Sequence, residues 1–359
     1  GLVGFGGGVG MLALMRQEVV ERRRWVSDKQ MGVGVALGQM LPGPFVSNYA
    51  EYVGYELRGL KGMTVAVVAL LAPSFVLMCL LSWLYFSFGS VPVVAKLFGG
   101  IQPVVVGILA WATWRIGRAN IKRRRQLLIA AIAAVALLLR GDFLLVVLGC
   151  GALGIAFSGA WRKLPPAALA AVPTLWLGTA AGAGAVVVLG QAGELALVFT
   201  KVGALLFGGG FAAIPFIQHE VVDLRGWLTA TEFIDGVALG QLTPGPVAIT
   251  ATFIGYKVLG LPGALIATLG TFVPSFFLLL GAIKVYARFK DNPWVSGFLS
   301  GVLPAVCGML FSATFFLGRT AISGPAAAII AALALVLLLR FRLDAFWLVL
   351  GGALLGLVR

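Results

Sequence analysis

Gly34-Val35-Ala36-Leu37-Gly38-Gln39-Met40-Leu41-Pro42-Gly43-Pro44 returns 202 residues later as Gly236-Val237-Ala238-Leu239-Gly240-Gln241-Leu242-Thr243-Pro244-Gly245-Pro246. Around this stretch, residues 5–44 align without a gap on 207–246, with 18 identities among 40 pairs. Self-similarity at a fixed offset over such a length marks an internal repeat. At an offset of 201 the register continues: Gly54-Tyr55 with Gly255-Tyr256, Gly59-Leu60 with Gly260-Leu261, Pro73-Ser74-Phe75 with Pro274-Ser275-Phe276, and Pro103 with Pro304. The sequence therefore divides into an N-terminal repeat, 1–160, a linker, 161–192, and a C-terminal repeat, 193–359. The linker carries Pro165-Pro166 and an extra apolar run, 167–190, that has no counterpart. Gly1 corresponds to Gly203, which lies inside an apolar run, so part of a first helix is expected upstream of it.

Composition says where such a chain lives. Of its 359 residues 60% are hydrophobic and 11% charged, and the mean hydropathy is +1.02. A soluble domain needs roughly 25% charged residues to cover its surface, which excludes a soluble enzyme. Apolar runs of the length that crosses a bilayer recur throughout, without the short alternating strands of a barrel. The expected fold is an all-α polytopic membrane protein. Ordinary spans are expected at 62–88, 101–118, 126–139 and 143–158, with counterparts near 263–286, 301–318, 325–340 and 344–358. Cys79, Cys150 and Cys307 sit singly in separate apolar runs, and His219 is the one histidine, so no metal site and no cofactor is expected. No clustered catalytic pair argues for an enzyme. The net charge of +14 lies in short loops, where membrane orientation explains it without nucleic acid.

Charge in equivalent loops relates the halves. Residues 16–33 carry a net +2, whereas 218–235 carry −3. Segment 115–125 holds six cations, and its counterpart keeps only Arg319. Cytoplasmic loops collect Lys and Arg, so equivalent loops face opposite sides and the halves are expected in inverted topology. Segment 115–125 is then cytoplasmic. The Pro-Gly-Pro segments fit either re-entrant hairpins or broken spans, the latter with 167–190 crossing as well.

These breaks carry the candidate chemistry. Pro42-Gly43-Pro44 and Pro244-Gly245-Pro246 end one helix and start another, whose first turn presents unpaired N–H groups and a partial positive charge. That is an anion site. The glycine triplets Gly6-Gly7-Gly8 and Gly208-Gly209-Gly210 permit close backbone approach to a ligand or, alternatively, serve helix packing. Gln39 and Gln241 stand three residues before each break, and Asn48 and Thr250 follow it by about a turn. Lys201, inside an apolar run, is a further candidate unless it snorkels. Glu18 and Glu220, each seven residues before a tryptophan (Trp25, Trp227), are candidate coupling residues or partners of Arg23 and Arg225.

At these residues the sequence resembles the chromate ion transporter family in its long two-domain form. The likeness rests on Phe-Gly-Gly, a Glu…Arg-x-Trp-[Val/Leu]-[Ser/Thr] stretch, and Ala-Leu-x-Gln-x-x-Pro-Gly-Pro, each present twice. The family usually writes Phe-Gly-Gly-Pro, where this chain has Gly8 and Gly210. The resemblance implies export of chromate, a tetrahedral dianion similar to sulfate, from the cell across a bacterial-type inner membrane, driven by the membrane potential or the proton gradient. Oxyanion and membrane lipid are the expected partners, and a homodimer is compatible with the reading. An oxyanion channel and an importer of sulfate-like anions are the alternatives.

Overall fold

The computed structural model describes residues 7–89, 91–159, 190–289, 292–341 and 343–358. Gly6, the Pro165-Pro166 linker and the apolar run up to residue 189 lie outside them. Thirteen α-helices and no strand occur among the described residues. The first half runs α1 (Gly7–Arg16), α2 (Asp28–Met40), α3 (Phe45–Phe88), α4 (Pro92–Asn120), α5 (Arg124–Leu138) and α6 (Phe143–Ser158). The second runs α7 (Gln191–Leu205), α8 (Ala213–Gln218), α9 (Ala230–Leu242), α10 (Thr250–Phe289), α11 (Pro293–Ala321), α12 (Pro325–Phe341) and α13 (Ala345–Val358). One π turn per half, Gln17–Arg22 and His219–Leu224, precedes α2 and α9. The expected spans fall on helices, although α4 starts nine residues before the expected 101, because Pro92 opens it and Pro103 sits inside without ending it.

Each Pro-Gly-Pro is the tip of a helical hairpin. α2 starts from a capping box in which Ser27 and Gln30 satisfy each other's backbone, and α9 repeats it with Thr229 and Glu232. Gly34 of α2 packs under Tyr49 and Tyr52 of the return arm, and Gly38 under Phe45. Gln30 Nε2 donates to Glu56 Oε2 at 2.6 Å. These pairs run in opposite directions, so the arms are antiparallel. The second half copies them with Gly236 under Phe253, Gly240 against Thr250, and Lys257 Nζ donating to Glu232 Oε1 at 2.7 Å.

The chain then reverses again. α3 is bent at Arg58 and Gly59, and α10 at Leu259 and Gly260, with positive φ of 57° and 62° at the two glycines. Gly54 closes on Gly62 and Ala66, and Gly255 on Gly263 and Ala267, so close that a side chain on either glycine would meet backbone. The segment from residue 60 to 88 is about 43 Å of helix at 1.5 Å per residue, enough to cross a bilayer. Ser74 lies at its middle. There the halves lock: the Ser74 hydroxyl donates to the Pro244 carbonyl, Gly245 sits on Ser74, and Gly43 sits on Ser275. Gly43 and Gly245 have φ of 121° and 147°, open only to glycine, and neither leaves room for a β-carbon against those serines.

The last helices are exchanged between halves. α4 packs on α12 and α13, and α11 on α5 and α6. Gly100 touches Gly352 and Gly356, and its counterpart Gly301 touches Cys150 and Gly154. Gly107 meets Ala331 and Gly308 meets Ala130 in the same paired fashion. Such small-residue contacts are how helices associate where the solvent is itself apolar. α4 and α11 also cross each other. Val106 faces Gly318 and Cys307 faces Gly117, while between them the equivalent hydroxyls of Thr113 and Thr314 lie 3.5 Å apart. The two helices thus pass in opposite chain directions.

Among the described residues four helices are long and apolar enough to cross a membrane, α3, α4, α10 with the turn before it, and α11, and three shorter apolar helices accompany them. Val65, Phe277, Ile329 and Trp347 stand 63–68% exposed, the surface of a multi-pass membrane protein whose outer solvent is lipid. In the second half α7 covers α10, with Phe199 on Gly270 and Gly203 on Thr271. The corresponding face of α3, at Ala69 and Leu70, lines a groove of about 1160 Å³.

A β-carbon at Gly301 would stand 2.0 Å from the Cys150 carbonyl oxygen, whereas one at Gly149 on α6 would meet nothing within 4 Å. Gly301→Ala is expected to cost at least about 2 kcal/mol by overpacking, and Gly149→Ala to be neutral or to stabilise by up to about 1 kcal/mol through helix propensity. Thermal unfolding in detergent, followed by size-exclusion profile, separates the two. Equal midpoints for both variants would remove the glycine contacts as the reason for the fold.

Candidate functional site

A cavity of about 390 Å³ lies between the two hairpin tips. Its wall includes Gly38, Gln39, Pro44, Phe45 and Val46 from the first half, and Gly208, Gly209, Gly210, Pro246 and Val247 from the second. α4 contributes Trp111, Arg115, Ala119 and Asn120. Gln39 and Ala119 are exposed, so the cavity reaches the surface at the end of α4 that leads into the cationic segment 115–125. Both segments that restart after a Pro-Gly-Pro thus put their first residues into one space, with N–H groups that a helix cannot pair internally.

The breaks are held from behind. The Gly43 N–H donates to the Leu206 carbonyl at 2.7 Å, tying the first tip to the end of α7. The Ser47 hydroxyl donates to the Pro44 carbonyl at 2.7 Å, and the Asn48 amide nitrogen to the Pro42 carbonyl at 3.4 Å. In the second tip the Thr250 hydroxyl donates to the Val247 carbonyl at 2.9 Å, inside a single 3₁₀ turn, Val247–Ile249. Side-chain donors therefore replace the ladder that proline interrupts.

The sequence-predicted residues separate into groups. Gln39, Pro44, Pro246 and the triplet Gly208–Gly210 line the cavity; Gly208 and Gly209 have φ of 90° and 98° and form the link between α7 and the 3₁₀ turn Gly210–Ala212. Pro42, Gly43, Pro244 and Gly245 shape the tips, with Asn48 and Thr250 buried behind them. Gln241 does not line the cavity, unlike Gln39: it is buried, and its amide nitrogen has no partner. Gly7 and Gly8 open α1 as helix, so the first triplet does not repeat the second's irregular backbone there. Lys201 is exposed on α7 and does not line the cavity. The helix buries Leu195, Val198, Phe199, Val202 and Gly203 against its neighbours, which leaves position 201 on the outer face.

Glu18 and Glu220 lie in the two π turns and are both ion-paired. Arg23 Nε donates to Glu18 Oε1 at 2.5 Å, a bond that holds this carboxyl below its ordinary range. Arg225 donates to Glu220 at 2.5 Å and to Glu194 on α7 at 2.8 Å. Each arginine also lies over the following tryptophan, 4.8 Å from Trp25 and 5.4 Å from Trp227. The duplicated Glu…Arg-x-Trp stretch is thus a clasp that closes the turn before each hairpin.

Arg115 was not singled out by sequence reasoning, which read it only as one of the cations that orient the protein. It stacks on Trp111 at 5.0 Å and faces the cavity, and Trp111 in turn touches Phe211 edge-on. The available signal was asymmetry: position 316, its counterpart, is Phe316.

A fixed cation, helix starts from both halves and an amide side chain in one cavity suit an anion. The family model described as "Chromate transporter" matches residues 1–155 and 193–357, both repeats. The chain belongs to the chromate transporter family. It is 32% identical to a chromate transport protein of Cupriavidus metallidurans, over 100% of this chain and 90% of that one. It is also 32% identical to a probable chromate transport protein of Synechococcus elongatus, covering 94% and 86%. With a chromate transport protein of Pseudomonas aeruginosa it shares 35%, over 89% and 79% of the two chains. No solved structure matches it.

The two clasps of this transporter family member differ in burial. The Arg225 side chain is 15% exposed and Glu220 9%, against 51% and 39% for Arg23 and Glu18. Arg225→Ala strands two carboxylates and is expected to cost about 3 kcal/mol, while Arg23→Ala moves the unfolding midpoint far less. Differential scanning fluorimetry of both variants checks the order; a larger loss at Arg23 would contradict it.

Proposed function

We propose that this protein exports chromate, or a similar tetrahedral oxyanion such as sulfate, across the cytoplasmic membrane by alternating access. The cavity between the hairpin tips carries the reading, because it gathers Arg115, Gln39 and the starts of both restarted segments. At roughly 30 Å³ per water, 390 Å³ admits an oxyanion with part of its hydration shell. Removing that shell is offset by N–H donors, the Gln39 amide and a guanidinium, all of which favour negative charge.

Inverted topology is supported by the antiparallel passage of α4 and α11, whose equivalent threonines meet. A two-fold that relates antiparallel helices lies across them, hence in the membrane plane if they span it. The hairpins are then re-entrant, their tips near mid-depth beside Ser74 and Ser275. The cationic segment 115–125 supports a cytoplasmic position for the open end of the cavity. A cavity open inward, next to six cations, collects anions from the cytoplasm. Outward movement of a dianion at an inside-negative potential releases about 4.6 kcal/mol per 100 mV. Import has to oppose the same term.

Purified protein in proteoliposomes, with a potassium-clamped potential and labelled chromate, tests this. Arg115→Gln and Gln39→Ala are expected to raise the half-saturating chromate concentration about ten-fold or more, the cost of a charge-assisted or amide hydrogen bond. Lys201→Ala serves as the control without effect. Unchanged saturation in both cavity variants refutes the site; non-saturating flux at channel-like rates refutes alternating access; competition by sulfate but no chromate flux reassigns the substrate.

A further inference from the structure

Three buried carboxylates lie among the described residues, Glu51, Glu220 and Asp235. Two of them are provided for. Glu220 has Arg225, and Asp235 on α9 accepts from Tyr85 of α3 at 2.8 Å and from Gln102 of α4 at 2.9 Å. Glu51 differs. It is fully buried on α3, two turns past Pro44, and neither of its oxygens has a hydrogen-bond partner.

Asn48, one turn earlier, is also fully buried, and its Oδ1 is unpartnered too, since its amide nitrogen is directed at the Pro42 carbonyl. Residues three apart share a helix face. Three acceptor atoms without donors therefore stand together directly behind the first Pro-Gly-Pro. The Asn48 Oδ1 is 3.2 Å from where a β-carbon of Gly43 would be, beside Ser275, whose hydroxyl is already directed at the Phe272 carbonyl at 2.9 Å. The elements packed on α3 carry charged or titratable groups: Arg16 on α1, Asp28 and Lys29 on α2, Glu232 and Asp235 on α9, and Tyr256, Lys257, Lys284 and Tyr286 on α10. On α3 itself Tyr49, Tyr52 and Glu56 flank the site. None of them is hydrogen-bonded or ion-paired to Glu51.

The second repeat shows the same place without a carboxylate. Thr252 stands at the position equivalent to Glu51 and shares a hydrogen bond of 2.7 Å with Thr268, so that copy is neutral and satisfied. The first copy instead keeps a carboxylate where its charged form has no donor and no counter-ion, which costs several kcal/mol. Acceptors without donors repel an oxyanion and call for a cation. A hard metal ion takes about six oxygens or more, and three are free here. A proton suffices, because a protonated carboxyl becomes a donor and can give its hydrogen to a neighbouring acceptor such as Asn48 Oδ1.

We propose that Glu51, with Asn48 beside it, is a proton-binding site, and that a proton carried there is exchanged for the outgoing oxyanion. This rests on the export reading above and assigns a residue to its coupling. The proton is taken from the outer side, held on Glu51 while it is sealed as seen here, and released to the cytoplasm in the alternate cycle step; no bond but the O–H is made or broken.

The test uses wild-type protein, Glu51→Gln and Glu51→Thr in proteoliposomes with the potential clamped, labelled chromate outside and an entrapped pH dye. For one proton exchanged per anion, the steady-state chromate ratio in wild type shifts about tenfold per pH unit of imposed gradient, and the dye reports proton counterflow. In both variants the ratio no longer responds to the gradient. A variant that keeps the response, a wild type that moves chromate without protons, or a sodium gradient that substitutes for the pH gradient overturns the proposal. Infrared difference spectra on the unmodified protein separate it from the export reading: a protonated carboxyl band that titrates in wild type and is missing in Glu51→Gln is expected whether or not chromate is the cargo, and a wild type lacking that band overturns the site. Absent chromate flux with the band present overturns only the cargo.

Discussion

Each half of this protein supplies the seat for the other's helix break. Inside hydrocarbon an interrupted helix exposes backbone groups that cost several kcal/mol each unless something polar reaches them. Here the Pro244 carbonyl is met by Ser74, while Gly245 and Gly43 press onto Ser74 and Ser275. The serines sit mid-way along the long segments of α3 and α10, so the tips are held at the centre of the fold rather than at its surface. Remove either half and the other's break loses its seat. The exchange of α5, α6, α12 and α13 between halves binds the pair further, through glycines that allow backbone-to-backbone approach.

On this duplicated frame the functional groups are not duplicated. Arg115 answers to Phe316, Glu51 to Thr252, Asp235 to Val33 and Gln102 to Leu303. The cation that faces the cavity and the carboxylate behind it both belong to the first half, while the irregular glycine triplet that lines the cavity belongs to the second. Symmetry builds the two breaks, and divergence decides what each does. On the proposed reading, a dianion beside one fixed cation needs further donors, which the helix starts of both halves would provide without adding a charge that would trap the ion.

Much of this was legible in the sequence because it depends on short-range chemistry. Proline and glycine fix the breaks, and apolar runs fix the spans, whatever surrounds them. The Ser27-x-x-Gln30 and Thr229-x-x-Glu232 boxes obey the same short-range chemistry, but sequence reasoning did not single them out as helix starts. The reversal at Gly59 and Gly260 was harder to see: the Gly-Leu pairs belong to the repeat, yet only a positive φ at glycine turns them into corners. The exchange of helices between halves was not readable, since a Gly100 that touches Gly352 looks no different in sequence from one that packs locally. Arg115 was hidden for another reason. Its charge already had an explanation in membrane orientation, and only its stacking on Trp111 turns it toward the cavity.

The inequality of Gln39 and Gln241 follows from the same geometry. Both stand three residues before a break, yet one is exposed to the cavity and the other is buried with an unpaired amide donor. An unsatisfied buried donor costs about 1–3 kcal/mol, a strain that the second tip bears and the first does not. Under the proposed alternating access by inverted repeats that exchange conformations, the strain would change sides with them, Gln241 gaining the cavity and Gln39 losing it. Two states related in this way are close in energy by construction, because each stores in one tip what the other stores in its twin. The ligand then needs to favour one state only slightly to shift the balance. On the proposed reading the unequal residues, Arg115 and Glu51 among them, are where that preference enters, since they make the two directions chemically different.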